Sequence, residues 1–257
     1  MRAIFIIPTY NERENLPSLV EAIFAAAPWA NILIVDDNSP DGTGQLADEI
    51  ATREARLRVL HRPGKMGLGT AYIQGFQLAI EHGFDRIFEM DADFSHDPQY
   101  LPAFLRASEN AELVIGSRYI PGGSTPNWSA LRRFISGGGN TFARAMLRIR
   151  VKDCTSGFRC YHREALQAID LAAIRSQGYA FQVELVYQVL RQRMRVTEIP
   201  ITFVDRRVGK SKMSQGIFIE AFQFVLRTRR RTGRAPRPTK GQITVATPAY
   251  VQESLRR

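Results

Sequence analysis

Short apolar runs alternate with stretches of helical spacing over the first half of the chain. Residues 2–7 form an apolar run that stops at Pro8, the pattern of a strand buried on both faces. Leu16, Leu19, Val20, Ile23, Phe24 and Ala27 then recur at the spacing of one helix face. Asn11 is placed to cap that helix, with Glu14 three residues on as its reciprocal partner. Residues 31–35, 57–60, 86–90 and 112–116 are further strand-like runs, and residues 69–81 read as a helix. Pro40 suits a first helical position with Ser39 as cap, and Asp97-Pro98 opens another helix. Strand and helix in this alternation predict an α/β fold with a mostly parallel central sheet covered by helices.

The rhythm changes near residue 137. Gly137-Gly138-Gly139 reads as a flexible stretch ahead of a helix over 140–148. Residues 179–193 read as a helix, and 195–204 as a strand whose Pro200 points to a sheet edge. Residues 214–227 are amphipathic, with Ile217, Phe218, Ala221, Phe222, Val225 and Leu226 on one face. The predicted division is an α/β domain over 1–212, an amphipathic, interfacial helix over 213–231 and a basic, disordered tail over 232–257.

At 257 residues the chain is long enough for one sizeable core. No apolar run approaches the ~18–20 residues of a spanning helix. The sequence opens on a strand-like run, so neither a transmembrane helix nor a signal peptide is expected. Cys154 and Cys160 fit neither a disulfide framework nor a zinc knuckle and read as core thiols. The net charge of +10 suggests nucleic acid until it is divided along the chain. Residues 1–226 carry 26 basic and 24 acidic side chains, whereas 227–257 carry nine and one. A near-neutral body without a nucleic-acid-binding pattern argues against a nucleic-acid partner. A basic segment next to an apolar helix face fits an anionic membrane surface instead.

Ligands of such sheets bind beyond the carboxyl ends of the strands. Residues 8–12, 36–41, 91–97 and 117–119 each follow a predicted strand and are unusually polar. Asp91 and Asp93 project to one side in extended geometry and offer hard oxygens to Mg²⁺ or Mn²⁺. Asp97 is better placed as a helix cap. Asp37 follows the second strand, where α/β enzymes recognise part of a nucleotide. Gly67-Leu68-Gly69 lacks the third glycine of a dinucleotide site. Arg118, Arg132, Arg206 and Lys212 are cations beside loops, suited to phosphate. The four histidines show no metal-ligand spacing.

In order along residues 3–227, these segments resemble family 2 glycosyltransferases of the dolichol-phosphate or polyprenol-phosphate mannose synthase group. The resemblance rests on Pro8-Thr9-Tyr10-Asn11-Glu12, Asp36-Asp37-Asn38-Ser39-Pro40-Asp41-Gly42-Thr43, Gly67-Leu68-Gly69-Thr70-Ala71-Tyr72 and Met90-Asp91-Ala92-Asp93-Phe94-Ser95-His96. It continues through Gly116-Ser117-Arg118-Tyr119, Thr155-Ser156-Gly157-Phe158-Arg159, Phe203-Val204-Asp205-Arg206 and Ser211-Lys212. It implies a GT-A catalytic domain, a GDP-mannose donor and a polyprenyl phosphate acceptor. It further implies a peripheral place on the cytoplasmic face of a membrane, in some relatives beside a membrane-protein partner. By the same resemblance Pro8, Tyr10, Glu12, Val35 and Asp37 hold the nucleoside, and Asp91, Ala92 and Asp93 hold metal and diphosphate. Arg118, Arg206 and Lys212 serve phosphates and, with Asp93, form the catalytic set. Arg118, Arg132 and Ser136 meet the acceptor phosphate. The sequence departs from the family at Gly137, where a basic residue often follows the serine.

A phosphomonoester has a second pKa near ~6, so this acceptor is largely dianionic already. The expectation is a cation-rich site that inverts the sugar without an essential general base, with Glu184 as the candidate were a base needed. The rival readings are transfer of glucose or another sugar from a UDP donor, nucleic-acid binding through the arginine tail, and a scaffold with a dead site.

Overall fold

The computed structural model describes residues 1–204, 215–231 and 233–255. The apolar runs form β1 (Ala3–Thr9), β2 (Asn31–Asp36), β3 (Leu57–His61), β4 (Arg86–Glu89) and β5 (Leu113–Ser117), with α1 (Leu16–Ala26), α2 (Thr43–Arg53), α3 (Leu68–Glu81) and α4 (Leu101–Ala107) between them. There follow α5 (Ala130–Leu147), β6 (Arg159–His162), α6 (Arg163–Gln167), α7 (Gly178–Arg191), β7 (Val196–Pro200), α8 (Gln215–Arg231), β8 (Ile243–Val245) and α9 (Pro248–Leu255). Among the described residues the sheet has eight strands in the order β3-β2-β1-β4-β6-β5-β7-β8. Every neighbouring pair is parallel except the two that involve β6.

Side chains alternate across each strand, so the sheet has two apolar faces. Ile4 and Ile6 pack with Tyr72 and Phe76 of α3, Leu147 of α5, Phe181 of α7 and Val225 of α8. Phe5 and Ile7 face the other way, toward Leu19 and Ile23 of α1, Phe104 of α4 and Val251 of α9. Gly75 lets α3 lie directly on β1, since a Cβ there would come 2.4 Å from Ile6 Cγ2.

Five expectations are corrected. Asn11 does not cap α1: it sits at φ 56° before the helix, and the cap position belongs to Asn15, whose amide donates to Glu12 Oε2 at 2.8 Å. Nor does α2 begin at Pro40, because the turn is used otherwise. Ser39 donates through N and Oγ to Asp36, and Asp41 Oδ1 accepts the Thr43 N–H at the true start. Gly137–Gly139 is no break: α5 runs through it from Ser129, whose Oγ accepts the Arg132 N–H. Pro200 is not on an edge strand, since β8 lies outside β7; it is tolerated because that ladder ends at Glu198 and Val245.

The fifth concerns the tail. Residues 233–255 are not disordered: β8 pairs with β7, the Ala235 N–H donates to Leu147 O at 2.7 Å, and Val251 is buried against α4. Arg106 lies over the Tyr250 ring and reaches Glu253 at 3.2 Å. A few apolar residues dock this segment while most of its cations stay at the surface. No helix among the described residues is long and apolar enough to cross a membrane.

Candidate active site

The carboxyl ends of β1, β2, β4 and β5 share one edge of the sheet. Because β6 runs the opposite way, the loop that precedes it reaches the same edge. Three non-glycine residues there hold left-handed backbone: Asn11 at φ 56°, Asn38 at 56° and Phe94 at 63°. Such conformations persist where surrounding contacts over-determine them, commonly at functional loops.

The first group of residues lies at the carboxyl ends of β1, β2 and β3. Pro8 pairs with Val35 across the ladder. Asp36 is consumed inside the turn, accepting from Thr9 and Ser39, and this turns Asp37 outward from the strand end. Arg62 Nη1 approaches Asp37 Oδ1 to 2.7 Å, close enough for an ion pair. The approach is off the line of an N–H, so Oδ1 accepts no hydrogen bond. Burial raises the Asp37 carboxyl, with the Arg62 charge offsetting part of that rise. Lys65 Nζ sits 4.6 Å above the Tyr10 ring, and the Glu12 N–H donates to Thr43 Oγ1. The five predicted nucleoside residues thus lie together, joined by Arg62 and Lys65, which sequence reasoning missed.

The second group follows β4. The Asp91 N–H donates to His96 Nδ1 at 3.0 Å, and the Tyr72 hydroxyl donates to Asp91 Oδ1 at 3.3 Å. Burial pushes the His96 imidazole down to about 4, against the pull of the Asp93 charge, so the ring is neutral near pH 7. Its proton therefore sits on Nε2, 3.8 Å from Asp91 Oδ2. The ring stacks on Phe158. The Ser95 N–H donates to Asp93 Oδ1, and Ala92 is buried between the two aspartates. Asp97 caps the turn Pro98–Tyr100 as expected. Below the turn, Glu89 faces Arg159 across the β6 ladder, both fully buried.

Two acidic side chains held by neighbours at their backbone and rim suit a hard cation. Among the described residues no three His, Cys, Asp or Glu side chains form a metal cage, so an ion here would complete its shell from substrate oxygens and water.

The third group joins β5, α5 and α7. Arg118 is buried with its fork committed: Nε donates to Asp153 Oδ2 at 2.7 Å, and Nη2 donates to Asp153 Oδ1 and Thr155 Oγ1, each at 2.8 Å. Trp128 lies between two cations, 5.5 Å from Arg118 and 4.3 Å from Arg132. Ser136 Oγ and the Tyr119 hydroxyl share a hydrogen bond of 2.8 Å. Burial raises the Tyr179 phenol, Arg118 and Arg132 pull it down, and Asp91 adds to the rise. One side chain therefore senses both the two-aspartate turn and the two arginines. Glu184 is removed from this cluster: Ser176 Oγ donates to its Oε2 at 2.5 Å, and burial raises its carboxyl. Arg206 and Lys212 lie outside the described residues.

Beside Ser136, Thr155 and Tyr179 opens an apolar cavity of about 260 Å³, walled by Ile135, Gly138, Phe142, Val183, Phe222 and Val225. Gly138 and Gly139 of α5 line this space, and a Cβ on either would meet nothing within 4 Å.

A parallel sheet broken by one reversed strand, with polar loops and a two-aspartate turn at its carboxyl edge, is the GT-A glycosyltransferase arrangement. The family profile described as glycosyl transferase family 2 matches residues 4–170, and the chain belongs to that family. The undecaprenyl-phosphate mannosyltransferase of Micrococcus luteus is 49% identical over 227 residues, 88% of this chain and 93% of its own. The polyprenol monophosphomannose synthase of Mycolicibacterium smegmatis is 48% identical over 222 residues, 86% of this chain and 84% of its own. Among solved structures, a mannosyltransferase of Pyrobaculum calidifontis in complex with GDP-Man and Mn²⁺ gives a TM-score of 0.60 at 16% identity, over 91% of this chain and 66% of that one. TarS of S. aureus with UDP-GlcNAc gives 0.55 at 15%, over 88% and 65%. At these identities the two structures speak for the fold.

Proposed function

We propose that the protein transfers mannose from GDP-mannose to a polyprenyl monophosphate, with inversion, at the cytoplasmic face of a membrane. The names of the two relatives at 49% and 48% identity support the mannosyl donor and the lipid-phosphate acceptor. The structural observation that carries the acceptor is the cavity that begins at Ser136, Thr155 and Tyr179 and continues between apolar walls. A phosphate at the polar mouth would face Arg118 and Arg132, while a prenyl chain would fill the apolar end.

Asp91 and Asp93 would hold Mg²⁺ or Mn²⁺, which as a Lewis acid supplies charge for the departing diphosphate. Tyr72 and His96 keep Asp91 oriented, and the Ser95 N–H does the same for Asp93. Asp37, Tyr10 and Glu12 hold the nucleoside end, so the sugar is presented toward the mouth of the cavity. The acceptor oxygen is already ionised at neutral pH, so no side chain has to remove a proton. The Ser176–Glu184 contact fits this, since it gives that carboxylate another occupation.

Peripheral membrane binding is assigned chiefly to α5. Leu131, Phe134 and Ile135 are 67%, 79% and 43% exposed, with Arg132 and Arg133 beside them. Half-exposed Phe222 of α8 stacks on Phe142 of α5 and extends the patch. An apolar helix face flanked by cations is the pattern of an interfacial helix.

The test offers radiolabelled GDP-mannose, UDP-glucose and UDP-GlcNAc in turn with polyprenyl phosphate, with and without chelator. Mannolipid formed from GDP-mannose and abolished by chelator is expected. Transfer from a uridine donor alone would overturn the sugar assignment, and transfer indifferent to chelator would overturn the metal.

A further inference from the structure

We propose that Asp153 is a positioning residue for the transfer, holding the Arg118 guanidinium at the acceptor mouth while Asn140 of α5 fixes the backbone that carries it. This rests on reading Arg118 as a donor to the acceptor phosphate. Asp153 is fully buried, and none of its hydrogen bonds reaches the residues at the ends of β1, β2 and β3 or the two-aspartate turn. Its Oδ2 takes both the backbone N–H and Nε of Arg118, and Oδ1 takes Nη2. The fork is thus locked in one plane, and Tyr119, Trp128 and Phe203 crowd its faces at 5.3–5.5 Å from their ring centres. Among the described residues no acceptor meets Nη1, so the two hydrogens there are what Arg118 can offer a phosphate.

The Arg118–Asp153 pair is neutral as a unit. Arg118 therefore contributes directed hydrogen bonds more than net charge, and the value of such a donor depends on its aim. The aim is set from α5. Asn140 Nδ2 donates to Lys152 O at 2.7 Å and Oδ1 accepts the Cys154 N–H at 3.0 Å, bracketing Asp153 on both sides. Glu198 accepts the N–H groups of Lys152 and Asp153 at 2.7 and 2.9 Å. The helix that walls the cavity thereby also fixes the cation at its mouth.

The experiment is a double-mutant cycle of Asp153→Asn and Arg118→Gln, with kcat/KM for polyprenyl phosphate, calorimetric Kd for GDP-mannose and a melting curve for each variant. Asp153→Asn should lower kcat/KM about a hundredfold, the cost of misplacing a catalytic contact. It should leave the GDP-mannose Kd unchanged and add nothing in the Arg118→Gln background. Additive losses, or equal losses in donor binding, would show a general structural role and overturn the proposal. Should Asp153→Asn fail to fold, Asn140→Ala keeps both charges and loosens only the loop; wild-type kcat/KM in that variant overturns it as well. If the wild type makes no mannolipid, the proposed function falls, and Asp153 is tested separately by arginine Nε–H exchange in NMR. Slow exchange at Arg118 that either loop variant accelerates supports the positioning role; equal exchange rates refute it.

Discussion

Asp36 and Asp37 are neighbours of one residue type with opposite employment. Asp36 spends its oxygens on Thr9 and Ser39, so Asp36→Ala should cost about 1–3 kcal/mol in urea unfolding by stranding those donors. For Asp93, which stands at the proposed metal site, Asp93→Asn should lower kcat by about two orders of magnitude, read against GDP-mannose Kd with and without Mn²⁺. Asp153 supplies a pH test of stability. Burial raises its carboxyl, but the Arg118 charge and hydrogen bonds outweigh that and hold it below the usual range. A depressed carboxyl stabilises the fold above its unfolded pKa, ~3.9, and that contribution is lost as pH falls through the folded value. At pH 7, Asp153→Asn should cost about 3–5 kcal/mol by leaving a buried guanidinium uncompensated. The gap between its melting temperature and that of the wild type should begin to narrow below about pH 4 and close only once the pH has passed the lower, folded value. Burial also raises both thiols, Cys154 to about 12, so neither should react with a thiol reagent until the protein unfolds.

At the scale of elements, α5 was misread for a physical reason. Glycine is a poor helix former, and three in a row outweigh what local sequence can show. The helix is held instead by the loop that follows it folding back on its face: Asn140 on residues 152 and 154, and Arg144 Nε on Val151 O. Gly138→Ala should stabilise the protein by about 1 kcal/mol in thermal melts. Gly138→Leu should fill the cavity and raise the KM for polyprenyl phosphate with GDP-mannose Kd unchanged; an unaltered lipid KM would remove the cavity from the acceptor path. The strands β1 to β5 were legible because each is a compact apolar run ended by polar residues. β6 was not, because Arg-Cys-Tyr-His carries no apolar run, and its buried Arg159 is satisfied only by Ser156, Tyr161, Gln182 and Cys154 in the folded chain. Strand ends alone point to Asp37, Asp91 and Asp93, whereas the donor roles proposed for Pro8, Tyr10, Glu12 and Val35 rest on the family resemblance. Asp153 could not, since nothing local marks a partner 35 residues away.

For the whole molecule, charge and fold have to be separated. The C-terminal segment is basic, yet it is also structural, completing the sheet with β8 and covering α4 with α9. Deleting residues 233–257 should therefore lower stability by about 2–4 kcal/mol in denaturant, through lost burial at Ala235 and Val251. Membrane binding should answer instead to Phe134→Glu, measured as partition onto anionic vesicles; undiminished partition would clear α5 of that role. The reversed strand β6 has a consequence for how the chain is made. Within the hydrogen-bonded sheet, the four residues of β6 join the block β3-β2-β1-β4 to the block β5-β7-β8. Until residues 159–162 emerge from the ribosome, β4 and β5 each present an open edge of unpaired backbone groups, the usual seed of edge-to-edge association. A chain stopped anywhere between residues 117 and 159 should accumulate as aggregate rather than as a smaller folded domain, which makes that interval the wrong place to divide this enzyme.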